Sequence, residues 1–345
     1  MSRPFRFRKA RCWMLILTLA ALAATAGAGN VLAQRSSGST DDLEVIQVRP
    51  SIYMIAGAGG NIAVQIGTIG VIVVDTGSEQ MSGKVLAAIK KLTDLPIRYI
   101  INTSADADHV GGNAVLSKAG KTILAGAVGQ SGVTEDVINN GGIASVLAHD
   151  NVLARMSAPT GKTAPFPEEM WPSKTYAFKR GYSMYLNGEG IQVLYMANAH
   201  TDGDSIVFFR RNDVIVTGDV LDTTRFPVIN VEEGGSIQGE IAALNALIDM
   251  TIPPVPFPWD PDRTLLISGH GRICDDSDLV EYRDMITIIR DNVQELMKEG
   301  KTLDEIKKAD PAKAYRRRYG SDTGSWTTDT FVEAIYKSLT ERKEK

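Results

Sequence analysis

Several short strand-forming runs in this chain stop at the same kind of residue. Val71-Ile72-Val73-Val74 ends at Asp75-Thr76-Gly77. The run Ile97 to Ile101 leads into Asn102 to His109, and 191–196 leads into Ala199-His200-Thr201-Asp202-Gly203-Asp204. Residues 213–217 lead into Gly218-Asp219, and Thr264 to Ser268 into Gly269-His270-Gly271. A continuous apolar run such as 71–74 fits a strand buried on both faces, so a sheet of such strands needs a covering layer on each side. Side chains that leave buried strands into loops converge on one edge of a sheet, where glycines let the backbone turn tightly. Here those side chains are imidazoles and carboxylates, the ligands that borderline and hard divalent ions prefer. Taken singly, each is also an ordinary turn residue, since Asp-Gly pairs are common in turns.

The remaining periodicity supplies the layers. Further strands are predicted at about 44–49, 52–56, 61–66 and 204–210. A helix over about 79–92 puts Val85, Leu86, Ile89 and Leu92 on one face. Another over about 236–250 presents Ile237, Ile241, Leu244, Leu247 and Ile248. The proline-rich stretch 251–263 reads as an irregular loop, and helices are expected at 276–299, 302–308 and 328–341. Two groups of strands, each followed by helices, suggest two packed sheets with helices outside.

The first 33 residues stand apart. Arg3, Arg6, Arg8, Lys9 and Arg11 precede an apolar run from about Trp13 to Ala24, and small residues then lead to Val31-Leu32-Ala33. That is the layout of a secretory signal peptide, too short in its apolar part for a comfortable membrane span. Export to the periplasm or beyond the cell is expected, with no stable membrane insertion after cleavage. Loss of the signal moves the formal net charge from -4 to -9. So acidic a chain argues against nucleic acid as a partner. Cys274 is then the only cysteine of the mature chain, which rules out an intrachain disulfide. The expected organisation is a signal at 1–33, a flexible leader at 34–43, a main domain at 44–300 and a helical extension at 301–345.

The strand-end motifs, in this order, resemble those of the metallo-β-lactamase superfamily. The resemblance runs from about Val45 to His270 and rests on Val73-Val74-Asp75-Thr76-Gly77, the segment 102–113, Ala199 to Asp204, Thr217-Gly218-Asp219 and Gly269-His270-Gly271. It implies an α+β fold, an αββα sandwich with a metal site at one edge, here carrying a C-terminal helical extension. The family's central motif reads His-x-His-x-Asp-His between Asn-Thr and Gly-Gly-Asn. This chain keeps the frame, Asn102-Thr103 and Gly111-Gly112-Asn113, but has Ser104 and Asp106 where the first two histidines stand.

Carried over by position, one metal site would use residues 104, 106 and 200. The other would use Asp108, His109 and His270, with Asp219 between the two. The second set is complete. The first keeps His200, with a carboxylate at Asp106 and a weak neutral oxygen at Ser104. One or two divalent ions are implied, with zinc named first; the more anionic first site tilts toward manganese or iron. The family hydrolyses esters, lactones, thioesters, β-lactams or phosphoesters, and fold does not choose among them. A bound ion activates water near neutral pH. Asp108 is the residue expected to orient that water or take its proton, unless it acts only as a ligand. The implied partner is a small-molecule substrate. The alternative, raised by Ser104 and Asp106, is a scaffold that has lost hydrolysis and serves as a binding or accessory protein.

Other residues carry weaker expectations. Asp75 resembles the family's aspartate behind the metal ligands, where it would hold a ligand histidine or a loop; a plain turn role is equally open. Asp204 reads as a turn residue, and His149 as structural or pocket-lining. Phe166, Met170 and Trp171 either pack a connector or shape a pocket, and Phe226-Pro227 could form a pocket wall. The basic cluster Tyr315 to Tyr319 reads as a solvated helix face or an interface.

Overall fold

The computed structural model describes residues 43–122, 142–158, 166–177, 181–253 and 263–341. The proposed signal, the leader up to residue 42 and most of the proline-rich stretch lie outside the described residues.

Seven strands form the first sheet in sequence order: β1 (Glu44–Arg49), β2 (Ile52–Ala58), β3 (Gly60–Gly67), β4 (Gly70–Val74), β5 (Ile97–Ile101), β6 (Ser145–His149) and β7 (Lys174–Tyr176). Neighbours are antiparallel up to β4 and parallel from β4 to β7. The second sheet takes β8 (Tyr182–Leu186), β9 (Glu189–Tyr195), β10 (Ser205–Phe209), β11 (Val214–Asp222), β12 (Leu265–His270) and β13 (Ile273–Cys274), also as spatial neighbours in that order. Only β11 and β12 pair in parallel there. The helices are α1 (Ser82–Leu92), α2 (Ala107–Val110), α3 (Asn113–Lys118), α4 (Asp150–Ser157), α5 (Ile237–Met250), α6 (Asp276–Lys298), α7 (Leu303–Ala309), α8 (Arg316–Tyr319) and α9 (Thr328–Glu341).

The continuous run at 71–74 is explained by strand alternation. Ile72 and Val74 face inward, packing with Ile101 and Leu147 against Val193, Val207, Phe209 and Ile267 of the second sheet. Val71 and Val73 face outward onto Val85 and Ile89 of α1 and Leu116 of α3. On the far side, Ile206, Ile215 and Leu266 meet Leu244 and Leu247 of α5, Ile286 and Ile289 of α6, and Phe331 and Ile335 of α9. The four layers of an αββα sandwich follow directly. Each such side chain, fully buried, contributes roughly 1.5–3 kcal/mol of transfer free energy. Residues on both sides of position 300, Leu244 through Ile335, share this one outer core.

Parallel neighbours must end at the same edge. The C-terminal ends of β4, β5 and β6 therefore deliver Asp75, Asn102 and His149 to one side, as β11 and β12 deliver Asp219 and His270. The sequence places Asp219 at the end of a strand near 213–217; β11 continues beyond it to Asp222. The ladder to β12 slips between Val216 and Gly218. Gly218 sits there at φ +53°, and a Cβ on it would lie 2.5 Å from Thr103 Oγ1, so glycine is needed to bend the strand.

Candidate metal centre

The loop from β5 to α2 is built to present its side chains. His109 lies in one turn of helix whose backbone N–H bonds reach back to the Asp106 carbonyl, and its own carbonyl accepts from Thr76 N–H at 2.7 Å. A Cβ on Gly112 would fall 2.5 Å from the Thr76 carbonyl, which explains the glycine in that frame. Asp75, at φ +60°, turns its carboxylate under the same loop. Its Oδ1 accepts Thr103 N–H at 2.8 Å, and its Oδ2 accepts Thr103 Oγ1 at 2.7 Å and His109 Nδ1 at 2.8 Å. A carboxylate can only accept, so Nδ1 carries the hydrogen and Nε2 is left as the ligating atom. His200 is oriented in the same manner. Its Nδ1 donates to the Val228 carbonyl at 2.7 Å, and Nε2 faces Asp106 Oδ2 at 2.7 Å.

Two sets of ligand atoms result, each within 4.8 Å of one another: Asp108, His109 and His270, and Asp106, His200 and Asp219. Asp219 links them. Its Oδ1 lies 3.2 Å from His109 Nε2 and 3.3 Å from His270 Nε2, while its Oδ2 lies 3.8 Å from His200 Nε2. Asp108 Oδ2 is 3.4 Å from His270 Nε2. Close glycines make room for the ligands: a Cβ on Gly60 would stand 3.0 Å from the His109 ring, and one on Gly269 2.5 Å from Asp219 Oδ1. The donor set suits divalent cations. All six residues proposed as ligands thus meet at one edge, and Asp75 stands behind His109. Ser104 is buried, and its hydroxyl accepts Asp106 N–H and donates to Asp106 Oδ2, both at 3.2 Å.

Electrostatics bind the cluster together. Burial drives the His109 imidazole downward, but the Asp219 and Asp75 carboxylates outweigh it and raise its pKa well above the usual value. At His200 the same burial is outweighed by Asp106 and Asp219. Burial pushes the Asp219 carboxyl up, yet the surrounding imidazoles hold it well below the usual range. Packed carboxylates and imidazoles of this kind are compensated mutually or by a cation.

The other expectations sort cleanly. Asp204 closes the His200 turn, accepting Thr201 N–H and Thr201 Oγ1 at 2.7 Å, and burial lifts its pKa to about 7. His149 ends β6, stacks on Tyr195 at 4.1 Å and caps α4 through Asn151 N–H; it joins neither ligand set. Phe166, Met170 and Trp171 pack a connector against Val110, Val152 and Met156. Phe226 is not a pocket wall: it is fully buried and stacks on Phe331 at 4.8 Å. The basic cluster is tied down by ion pairs, Arg316 to Asp310 and Arg318 to Glu281.

A cleft of about 720 Å³ opens over the ligands. Asp106, Asp108, His200, Asp219 and His270 line it, together with Arg225, Val228, Ile229 and Val231 from one segment and Trp326, Ala334 and Lys337 from another. Arg225, Trp326 and Lys337 carry no sequence signal, because nothing local marks them as neighbours of the ligand loops.

A family model described as the metallo-beta-lactamase superfamily matches residues 57–270. The chain belongs to the metallo-beta-lactamase superfamily. Among its superfamily relatives, it is 24% identical over 257 residues to a linear primary-alkylsulfatase from Pseudomonas sp. (strain ATCC 19151), covering 69% of this chain and 47% of that protein. The solved structure of a stereoselective inverting sec-alkylsulfatase from Pseudomonas sp. aligns with a TM-score of 0.59 and 15% identity, over 86% of this chain and 50% of that one. A metallo-beta-lactamase from Pontibacter korlensis aligns at 0.50 and 16% identity, over 71% of this chain and 99% of that one. This chain therefore spans about half the length of the alkylsulfatases it matches, and the structural likenesses speak to the αββα fold.

Proposed function

We propose that this protein is an exported metal-dependent hydrolase of an anionic ester with an apolar remainder, sulfate esters being the class to test first. The observation that carries the reading is the convergence of three imidazoles and three carboxylates in two linked ligand sets, five of the six residues lining one cleft. The alkylsulfatase relative adds weight to the sulfate ester within the broader range of esters, lactones, thioesters and β-lactams.

A bound divalent ion, zinc being the first candidate, supplies an activated water and Lewis acidity. Asp106, Asp108, His109, His200, Asp219 and His270 would hold one or two such ions. The residues of the chain do the rest. Asp108, with 37% of its side chain exposed to the cleft, takes up a proton at a carboxylate oxygen. Arg225, held through Nε by Asp222 Oδ2 at 2.7 Å, brings positive charge to the anionic ester oxygens. Val228, Ile229, Val231, Trp326 and Ala334 take the apolar remainder and exclude water. Glu333, which also lines the cleft, is neutralised by Lys307 at 2.7 Å and Lys337 at 2.8 Å.

The test is a panel of a linear alkyl sulfate, a carboxylic ester, a lactone and a β-lactam, run on protein loaded with zinc or manganese. Turnover is expected on the alkyl sulfate and lost in His270→Ala. Metal-replete protein that turns over nothing on the panel would instead make it a binding scaffold. For export, the mature chain is expected to begin at Gln34, which the intact mass of secreted protein checks.

A further inference from the structure

The two ligand sets differ in composition. Around His109 and His270 stand two imidazoles with Asp108 and Asp219 Oδ1. Around His200 stand one imidazole and two carboxylates, Asp106 and Asp219. The carboxylate of Asp219 turns one oxygen to each half, so the halves differ mainly in what else they offer. Nitrogen-rich sites suit zinc, whereas sites dominated by carboxylate oxygen favour harder ions such as Mn²⁺.

Ser104 sharpens the difference. Its hydroxyl is committed to Asp106, accepting the backbone N–H and donating to Oδ2. The Asp106 carboxylate is thereby turned toward His200 Nε2, 2.7 Å away. The Val228 carbonyl fixes His200 Nδ1 as the protonated nitrogen, which commits Nε2 to the same space.

From this we infer that the centre is a mixed-metal one: the His109–His270 half takes a zinc-type ion, the Asp106–His200 half takes a harder ion such as Mn²⁺, and Asp106 sets the difference. Ser104 is the positioning residue that aims it. The inference rests on reading the cluster as a metal centre, and it adds which ion each half selects.

The experiment exposes metal-stripped full-length protein to Zn²⁺ and Mn²⁺ together. A chelator buffers free zinc to a low level, because zinc otherwise outcompetes manganese at most sites. Metal content is measured by mass spectrometry and bound Mn²⁺ by electron paramagnetic resonance. The wild type is expected to hold about one ion of each kind. Asp106→His adds a nitrogen and is expected to exchange the manganese for a second zinc. Ser104→Ala is expected to weaken manganese binding several-fold with zinc content unchanged. If Asp106→His does not fold, Asp106→Asn, which keeps the shape and drops the charge, must still lower the manganese share. Two zinc ions in the wild type under buffered conditions, or a manganese share indifferent to residue 106, would overturn the inference while leaving the hydrolase reading intact. Failure to bind either ion would remove both.

Discussion

Asp75 shows how much one side chain behind the ligands can decide. Its carboxylate is buried, accepts three hydrogen bonds and fixes which nitrogen of His109 faces Asp219. It adopts φ +60°, a left-handed conformation that aspartate tolerates better than most residues. Asp75→Asn puts an amide where acceptors are needed. It is expected to weaken metal binding about 10–100-fold, the range for partners that orient a ligand. Titration against a chromophoric chelator checks it; unchanged affinity would leave Asp75 as a turn residue only. Asp75, the ligand histidines and the three aspartates around them could all be named in the sequence, because strand-end motifs are local. Arg225 could not, since its closeness to Asp108 exists only after the loop that follows β5 of one sheet meets the end of β11 of the other.

At the scale of elements, α5 carries an unresolved cost. Glu240 is fully buried, and both carboxylate oxygens lack a hydrogen-bond partner. Helical spacing explains its burial: it follows Ile237 by three and precedes Leu244 by four, on the buried face of the helix. In the sequence only the apolar members of that stripe, such as Ile237, Leu244 and Leu247, mark the buried face. Gly239 adds to it by bringing the helix against the Asn198 carbonyl, with no room for a Cβ. Burial first, then the nearby Asp204 carboxyl, raises the Glu240 pKa well above its ordinary value. The sign follows. A raised folded-state pKa stabilises fully below the unfolded value near 4.5, and that contribution is lost as pH rises. Glu240→Met is therefore expected to be more stable than the wild type at pH 8, by about 1–3 kcal/mol, with the gain shrinking toward pH 4. Urea melts at the two pH values test this; a gain independent of pH would place the carboxyl's cost elsewhere. The same scale explains a strand the sequence hid. Residues 144–148 mix small and apolar side chains, and it is pairing with β5 and β7 that makes β6 a strand.

Across the whole molecule, the cleft is a joint product of distant segments. Its lining comes from strand-end loops of both sheets, from 225–232 and from 325–337, the last beyond the end of the family match. The 325–337 segment is held by Phe331, fully buried and stacked on Phe226, and by Glu333 between two lysines. Phe331→Ala is expected to cost about 3–5 kcal/mol, which a fall in thermal midpoint would register. Trp326→Ala opens the cleft and leaves the ligands alone. For a substrate with a long apolar tail, KM is expected to rise about 5–30-fold, equivalent to roughly 1–2 kcal/mol of lost contact, with kcat unchanged. For a compact ester, KM should hardly move. An equal loss for both substrates would mean the tryptophan only supports the fold.

By itself the sequence determined the layered fold and the chemistry of the ligands. Both depend on short-range rules: alternation along a strand, the 3.6-residue period of a helix, and motifs whose ligands sit a few residues apart. Only the tertiary structure decided that Asp219 lies within a bent strand with one oxygen for each half of the centre, and that Arg225 and Trp326 line the same cleft as the ligands. Those relations depend on which strands neighbour one another and where outer helices dock, and they join residues about a hundred positions apart, such as Asp219 with His109 and Trp326 with Arg225, that no local pattern connects.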